Sequence, residues 1–411
     1  MTQINNLTWG RMVMSFSEVK PLEISQCRAI IFGVALSLLT LPIMGNIQFF
    51  LSHILLIAFI AFAMFFSFIT APIYVMKFTT WIVLFFGFNA MSAIYFGPGP
   101  RYAVDTVKIL IYICSIAFLS YTFSMRALRN IAFGLSIGLP TFVFVSIFVF
   151  DTISWANGRL VFENAGGPNV FGSMAALCII FALAKSEVSL LIRALICLVL
   201  FVALLATGSR ANMLGIAVAV AYGPHLLKRF GWFAVAIVIL AAVISLTTDV
   251  TALINDLSGV QRLSDAASGN VQDLSSGRSG IWAFLIKRAI QDPVSILFGR
   301  GGGSAEFMYL VLNPTFWSQH LLSPHSTWVG AFYYYGVLGF LVTACAFIYV
   351  TVFAVNTGDL LKRRLVLYYL CTAMVDNHYM GSQGIVFHAI AFSILFAPVP
   401  YQSASQHSGR L

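Results

Sequence analysis

Residues 190–221 read LLIRALICLVLFVALLATGSRANMLGIAVAVA: two apolar runs separated by a short polar stretch around Arg210. The runs are predicted at 190–207 and 211–227, and each is close to the length that a helix needs to cross about 30 Å of hydrocarbon. Two such runs around a turn predict a pair of adjacent membrane helices.

The whole chain has the composition of a membrane protein. Of its 411 residues, 60% are hydrophobic and only 9% are charged, and the mean hydropathy is +0.91, whereas a soluble globular domain has about a quarter charged residues. A bilayer must cover this much apolar surface. The net charge of +9 does not indicate nucleic-acid binding, because the lysines and arginines lie in short loops between apolar runs.

We predict an all-α, polytopic integral membrane protein with about twelve transmembrane helices. The predicted spans are 28–44, 49–69, 73–95, 104–122, 129–150, 169–185, 190–207, 211–227, 231–247, 325–354, 362–377 and 383–399. The predicted organisation is an N-terminal segment 1–27, a membrane domain 28–247, a large outer loop 248–324 with short helices, a second membrane domain 325–400 and a tail 401–411.

Basic residues in the short loops predict the orientation. With the N-terminus in the cytoplasm, most loop cations fall on the cytoplasmic side, as the positive-inside rule requires. These are Arg11, Lys20, Arg28, Arg126, Arg129, Lys185, Arg193, Lys228, Arg229, Lys362, Arg363 and Arg364. Both termini are then expected in the cytoplasm, with residues 248–324 on the outer side.

A few cations remain on the outer side, where little water is expected. Arg210 lies between two apolar runs, a costly position that marks a functional candidate, although its guanidinium could instead snorkel to the lipid headgroups. Arg101, Lys108 and Arg159 are predicted to face the same outer vestibule. Several fixed positive charges in a low-dielectric cleft suit a ligand with two or more negative charges, such as a lipid diphosphate.

The outer loop contains three further features. Residues 276–282, SGRSGIW, lead into a predicted interfacial helix at 280–291, which Asp292-Pro293 should end. Its predicted apolar face consists of Ile281, Leu285, Ile286 and Ile290. The glycine-rich stretch 299–303, which contains Arg300, is predicted either to offer backbone N–H groups to a diphosphate or to be a plain flexible loop. His325 begins the next apolar run, where an imidazole can be an interfacial hydrogen-bonding group or can exchange a proton near neutral pH.

The order of these motifs resembles the O-antigen ligase and polymerase superfamily of bacterial inner membranes. The motifs are GGPNVFG at 166–172, TGSRAN at 207–212, SGRSGIW at 276–282, the Asp-Pro and Gly-Arg-Gly elements, and PHSTWVGAFYYYGVLG at 324–339. The first reads Gly-Pro-Asn where the family often has Asn-Pro-Asn, and Ser326 follows the histidine where many relatives have asparagine.

The resemblance implies a metal-independent glycosyl transfer, without a cofactor, at the periplasmic face of the inner membrane. The donor would be a glycan on undecaprenyl diphosphate, and the acceptor a second lipid-linked glycan or the lipid A core. Arg210 and Arg278 would hold the diphosphate, and His325 would orient or deprotonate the acceptor hydroxyl. The other predicted substrate-binding residues are Arg300, Arg101, Lys108, Arg159, Asn169 and Trp282. Membrane lipids, a flippase and a chain-length regulator are the expected partners, and nucleic acid is not.

Several alternatives remain. A polymerase is favoured slightly over a ligase, because the SGRSGIW and HSTW segments look closer to that branch. A transporter or flippase would be expected to have internal repeats and charged or broken helices near mid-membrane. A membrane O-acyltransferase would not need outer arginines, and another class of lipid-sugar glycosyltransferase would need a carboxylate in the first outer loop, which here reads Gly45-Asn46-Ile47-Gln48.

Overall fold

The structure, a computed structural model, describes part of the chain. The described residues are 23–40, 112, 115–116, 119–120, 122–149, 153–156, 159–162, 167–185, 187–221, 278–301, 325–374 and 384–397. The predicted spans 49–69, 73–95 and 231–247, and most of 104–122, lie outside these residues.

The described residues form ten helices and one two-stranded antiparallel sheet. In chain order they are α1 (Gln26–Thr40), α2 (Met125–Phe148), β1 (Ile153–Ala156), β2 (Arg159–Phe162), α3 (Pro168–Ala184), α4 (Leu190–Thr207), α5 (Arg210–Ala221), α6 (Arg278–Ala289), α7 (Pro293–Phe298), α8 (Thr327–Asn356), α9 (Leu360–Thr372) and α10 (Ile385–Phe396).

Three of the described helices, α2, α4 and α8, are long and apolar enough to cross a membrane. Apolar segments of 10–17 residues lie in α1, α3, α5 and α10. The prediction of a helical membrane protein is therefore confirmed, while the number of about twelve spans stays a prediction.

Hydroxyl and carboxylate side chains fix where several helices begin. Ser124 Oγ accepts from Ala127 N at 3.2 Å and begins α2, and Asp359 Oδ1 accepts from Leu361 N at 2.9 Å and begins α9. Such N-caps satisfy backbone N–H groups that have no partner within the helix. They explain why α2 and α9 begin a few residues before the predicted apolar runs.

Two glycines let α1 and α2 touch backbone to backbone. A Cβ added to Gly33 would lie 2.1 Å from Ile131 O, and one added to Gly134 would lie 2.2 Å from Ile30 O. Small residues permit this close approach between membrane helices, where packing rather than water exclusion drives association.

Three basic connections meet at one end of the described helices. Lys185, after α3, donates to Asn130 Oδ1 of α2 at 2.6 Å, and Arg129 pairs with Asp359 at the start of α9 at 2.5 Å. Because α2 begins and α3 ends here, the hairpin between them lies at the opposite end. The loops predicted to share one side of the membrane are thus brought together.

A short β-hairpin corrects the all-α prediction. Strands β1 and β2 pair antiparallel, with Ile153 opposite Phe162 and Ala156 opposite Arg159. This register leaves two residues between the strands, Asn157-Gly158, the dipeptide favoured in two-residue hairpin turns. The signal was present in the sequence and was overlooked.

The predicted helix is present, but its start and part of its buried face differ from the prediction. It begins at Arg278 rather than at residue 280, and Leu285 and Ala289 are fully buried whereas Ile290 is 53% exposed. The reason is that Leu285 and Ala289 share a core cluster with tyrosines of α8. Leu285 is thus buried as predicted, whereas Ile286 and Ile290 are exposed and Ala289 is buried instead.

Candidate active site

Arg210 begins α5 directly after a tight turn. Helix α4 ends at Thr207, and Gly208 adopts a left-handed conformation (φ 60°) with its N–H donated to Leu205 O. A residue without a side chain is favoured at such a helix end. The predicted break between two apolar helices is confirmed, and it leaves Arg210 half-buried at a helix N-terminus.

Asn212 packs this turn against the start of α3. Its Nδ2 donates to Ser209 Oγ at 2.8 Å and to Asn169 O at 3.1 Å. A Cβ at Gly172 would come within 2.8 Å of Ser209 Cβ, so the two turns are in close contact. The Gly-Pro-Asn motif does open a helix, since Pro168 is its first residue.

Arg159 connects the hairpin to both of these turns. Its Nε donates to Thr207 O at 2.6 Å, and its Nη2 donates to Asn169 Oδ1 at 2.7 Å. Arg159 and Asn169, two predicted substrate-binding residues, are therefore in direct contact, and both adjoin the turn that carries Arg210. This group lies at the end of the helices opposite the Arg129–Asp359 pair.

The glycine-rich loop is docked on a break in α8. Gly336 has φ 67° and ψ −164° inside that helix, a backbone region open essentially only to glycine. The break frees the carbonyls of Tyr333 and Tyr334, which accept from Arg300 N at 2.9 Å and from Gly301 N at 3.0 Å.

These contacts correct the expectation that the loop offers free N–H groups, at least for Arg300 and Gly301. The Arg300 side chain is also 8% exposed and donates to Arg288 O at 3.1 Å, near the end of α6. Burial lowers the pKa of its guanidinium. The described contacts of Arg300 are thus structural, and residues 302–303 lie outside the described part.

His325 has an unusual backbone. Its φ of 46° is positive, which is uncommon for a residue with a Cβ. The following residues are fixed, since Ser326 Oγ accepts from Val329 N at 3.3 Å and Thr327 N donates to Ala373 O at 2.9 Å. Strained conformations of this kind concentrate at functional sites.

Helix α9 links the two helices that begin at Arg210 and next to His325. Its last turn contacts α5, where a Cβ at Gly215 would lie 2.6 Å from Thr372 Cγ2. The residue after that turn, Ala373, accepts from the first residue of α8. The first halves of α5 and α8 therefore both adjoin the C-terminal end of α9.

Helix α6 packs beside the start of α8. Ile281 in the first turn of α6 and Val329 in the first turn of α8 both pack against the cluster of Leu285, Ala289, Tyr333 and Tyr334. Arg278 is the first residue of α6, and Trp282 is half-buried on the same helix. Arg101 and Lys108 lie outside the described residues.

Sequence reasoning missed a buried histidine. His388 of α10 is 3% exposed and contacts Tyr369 of α9 and Ser173 of α3. The signal was available, because an ionisable residue within an apolar run is by default a functional candidate. Among the described residues no group of three His, Cys, Asp or Glu side chains could hold a metal ion.

Comparison with known proteins adds the family. Residues 195–344 match the family model described as O-antigen ligase, a glycosyltransferase-like family. This match confirms the resemblance to the O-antigen ligase and polymerase superfamily. Arg210, Arg278 and His325 all lie inside the match. No curated protein has significant similarity to the chain.

Proposed function

We propose that the protein transfers a glycan from undecaprenyl diphosphate to a sugar hydroxyl at the periplasmic face of the bacterial inner membrane, and so polymerises exopolysaccharide or O-antigen repeat units. The observation that carries the proposal is the convergence of Arg159, Asn169 and the Arg210 turn at one end of the helices. Arg210 lies within residues 195–344, which match the O-antigen ligase family model, and Arg159 and Asn169 contact the turn next to it. Both termini are then cytoplasmic, and residues 248–324 form the periplasmic loop.

Guanidinium groups bind the diphosphate in this mechanism. Arg210 and Arg278 hold the phosphate oxygens, while Arg159 and Lys108 add positive potential around them. When the bond between the sugar C1 and the phosphate oxygen breaks, negative charge develops on the departing diphosphate. Preorganised donors in a poorly hydrated site stabilise such charge by about 3 kcal/mol each. The arginines therefore take the part that a divalent metal plays in other transferases.

His325 acts on the acceptor. The acceptor oxygen forms the new bond to C1, its proton passes to the imidazole, and undecaprenyl diphosphate leaves with the electron pair of the broken bond. An imidazole exchanges protons near neutral pH, which suits it to this step. Support comes from the backbone of His325, whose positive φ is held by the Ser326 cap and by the bond from Thr327 to Ala373.

Ligation to the lipid A core is the second candidate. It is favoured by the description of the matching family model, O-antigen ligase. The chemistry at the donor is the same in both cases, since only the acceptor hydroxyl differs. A flippase and a chain-length regulator are the partners expected of a polymerase.

Transport of a lipid-linked glycan is a third candidate, because a transporter also uses broken helices. Helix α8 does break at Gly336, which sequence reasoning had not anticipated. In this chain, however, the carbonyls freed at Tyr333 and Tyr334 are satisfied by Arg300 and Gly301. The break therefore serves as a docking point for the loop, which favours an enzyme with a fixed site.

The test is analysis of surface glycans and lipid-linked intermediates in a deletion strain complemented with variants. Arg210→Ala, Arg278→Ala and His325→Ala should each abolish assembly at normal protein abundance, and Arg210→Lys should restore little, because an ammonium does not reproduce a bidentate guanidinium. Arg126→Ala is the matched control, since Arg126 is exposed at the other end of the helices.

The accumulated species separates the candidates. A single capped repeat indicates a lost polymerase, whereas full-length lipid-linked polymer with a bare core indicates a lost ligase. Unchanged glycans with Arg210→Ala would contradict the diphosphate clamp, which is the proposed binding of the phosphate oxygens by Arg210 and Arg278. Lipid-linked precursor retained on the cytoplasmic face would indicate a transporter.

A further inference from the structure

Two adjacent tyrosines of α9 form hydrogen bonds to neighbouring helices next to the candidate site. Tyr368 OH donates to Asn212 Oδ1 of α5 at 2.6 Å, and Tyr369 OH is 2.9 Å from His388 Nδ1 of α10. Each tyrosine thus begins a separate hydrogen-bonded path away from α9.

Both paths end on the first two turns of α3. The first path ends where Asn212 Nδ2 donates to Asn169 O at 3.1 Å. The second path ends at Ser173, whose Oγ is 3.2 Å from His388 Nε2. Asn169 and Ser173 are four residues apart and therefore lie on the same side of α3. The result is a closed circuit through four helices, α9, α5, α3 and α10.

The circuit is shielded from solvent and its donors and acceptors are mutually consistent. Asn212, Tyr368, Tyr369, Ser173 and His388 are all at most 3% exposed. The Ser173 hydroxyl donates to Val170 O at 2.8 Å, so His388 Nε2 carries the proton towards Ser173, and Nδ1 accepts from Tyr369. Breaking one bond leaves a buried group without its partner, which costs more than the bond itself contributes.

We propose that Asn212, Tyr368 and His388 are positioning residues for the lipid diphosphate. They hold the turn that carries Arg210 at a fixed distance from the turn that carries Asn169, whose side chain holds Arg159. The three side chains act through these neighbours and not on the substrate. The inference rests on the proposed function, which assigns Arg210 and Arg159 to binding of the same lipid diphosphate.

A purely structural role predicts the same effect for any buried bond between helices, and the chain offers a matched control. Ser136 Oγ of α2 donates to Cys178 O of α3 at 2.9 Å, and Ser136 is fully buried. This bond also joins α3 to a neighbouring helix, but it lies more than one turn beyond Ser173, away from the Arg210 turn. Ser136→Ala therefore removes a comparable bond without touching the circuit.

The experiment measures the Kd for undecaprenyl diphosphate and the Tm of the full chain purified in nanodiscs. Tyr368→Phe and His388→Gln should each weaken binding by about fivefold or more. Each variant loses one hydrogen bond of the circuit, and the turns that carry Arg210 and Asn169 are then no longer held in the position that binds the diphosphate. Ser136→Ala should keep the Kd within about twofold at a similar loss of Tm. Should Tyr368→Phe destabilise too strongly, His388→Gln keeps a donor at the position of Nε2 and tests the other path.

The outcomes distinguish this inference from the proposed function. If Arg210→Ala weakens binding but Tyr368→Phe and His388→Gln behave like Ser136→Ala, the circuit is only structural and the inference is wrong. If Arg210→Ala leaves the Kd of the wild type, the clamp itself fails and the inference is overturned with it. A positioning role would likewise be rejected if binding weakened in proportion to the loss of Tm in all four variants, Arg210→Ala, Tyr368→Phe, His388→Gln and Ser136→Ala.

Discussion

Arg159 Nη2 donates to Asn169 Oδ1 at 2.7 Å, and this bond joins the β-hairpin to the first turn of α3. The same guanidinium reaches Thr207 O through Nε. One side chain thus fixes three segments that are separate in the sequence. A planar guanidinium can do so because its donors point in several fixed directions.

Replacing this side chain by lysine should separate geometry from charge. Arg159→Lys keeps the positive charge, but one ammonium cannot reproduce both bonds in the same directions, so we expect a loss of about 1–2 kcal/mol of stability. The Tm in detergent measures it, with Arg126→Lys as the control at an exposed site. Equal Tm values for the two variants would contradict this account of the Arg159 contacts.

The break in α8 predicts a large effect of a single methyl group. A Cβ at Gly336 would lie 2.3 Å from Leu297 O, and its φ is 67°. Gly358 has the same φ, but a Cβ there would meet nothing closer than Arg363 Nη2 at 4.0 Å. Gly358→Ala should cost about 1–2 kcal/mol from the backbone alone.

Gly336→Ala should cost clearly more than Gly358→Ala, because the loop must also move. Limited proteolysis within residues 293–301 should then become faster in Gly336→Ala only. If both variants lose the same Tm and show the same cleavage, the docking of the loop contributes nothing to stability.

Substitutions of Asp359 should lower the stability of the protein in two ways, by removing its charge and by removing the oxygen that caps α9. It caps α9 through Leu361 N and Lys362 N and pairs with Arg129, whose side chain is 42% exposed. Because of that exposure, the ion pair should add less than about 1 kcal/mol, whereas the cap should contribute about 1 kcal/mol. Asp359→Asn should therefore lose less Tm than Asp359→Ala, and a double-mutant cycle with Arg129→Gln isolates the pair.

Glu187 predicts a small dependence of stability on pH. The hydrogen bond from Lys185, followed by its charge, lowers the pKa of this carboxyl from 4.5. Its contribution to stability is thus complete above pH 4.5 and is lost as the pH falls through the lower pKa of the folded state. Since the side chain is 61% exposed, we expect less than about 1 kcal/mol.

The comparison of wild type with Glu187→Gln across pH measures this effect. The Tm difference should be present at pH 7 and should shrink as the pH falls below 4.5. A difference that does not change with falling pH would show that packing, not charge, determines the effect of this residue.

The sequence predicted most described helices because hydrophobicity alone decides where a chain can cross a membrane. Helix α4 was predicted to the residue, since polar stretches bound it on both sides. The buried face of α6 was predicted only in part: Leu285 is buried as expected, but Ala289 is buried against the tyrosines of α8 while Ile290 is exposed.

For the candidate site, single residues were easier to predict than their contacts. Arg210, Arg159 and Asn169 were identified from charge and motif, but nothing local indicated that Arg159 would bridge Thr207 and Asn169. His388 was missed although its place in an apolar run was a signal, and nothing local indicated its contact with Ser173, which is 215 positions away in the sequence. Such partners follow from helix packing, which hydropathy does not encode.

The close contact between Gly33 and Gly134 also sets an order of events during biosynthesis. Ile30 and Ile131 carbonyls face these glycines, so α1 reaches its final neighbour only after α2 has left the ribosome and entered the bilayer. Until then the small-residue face of α1 must be covered by lipid or by the insertion machinery. Slowing translation between the two helices should therefore lengthen the time during which this face can pair with a wrong helix.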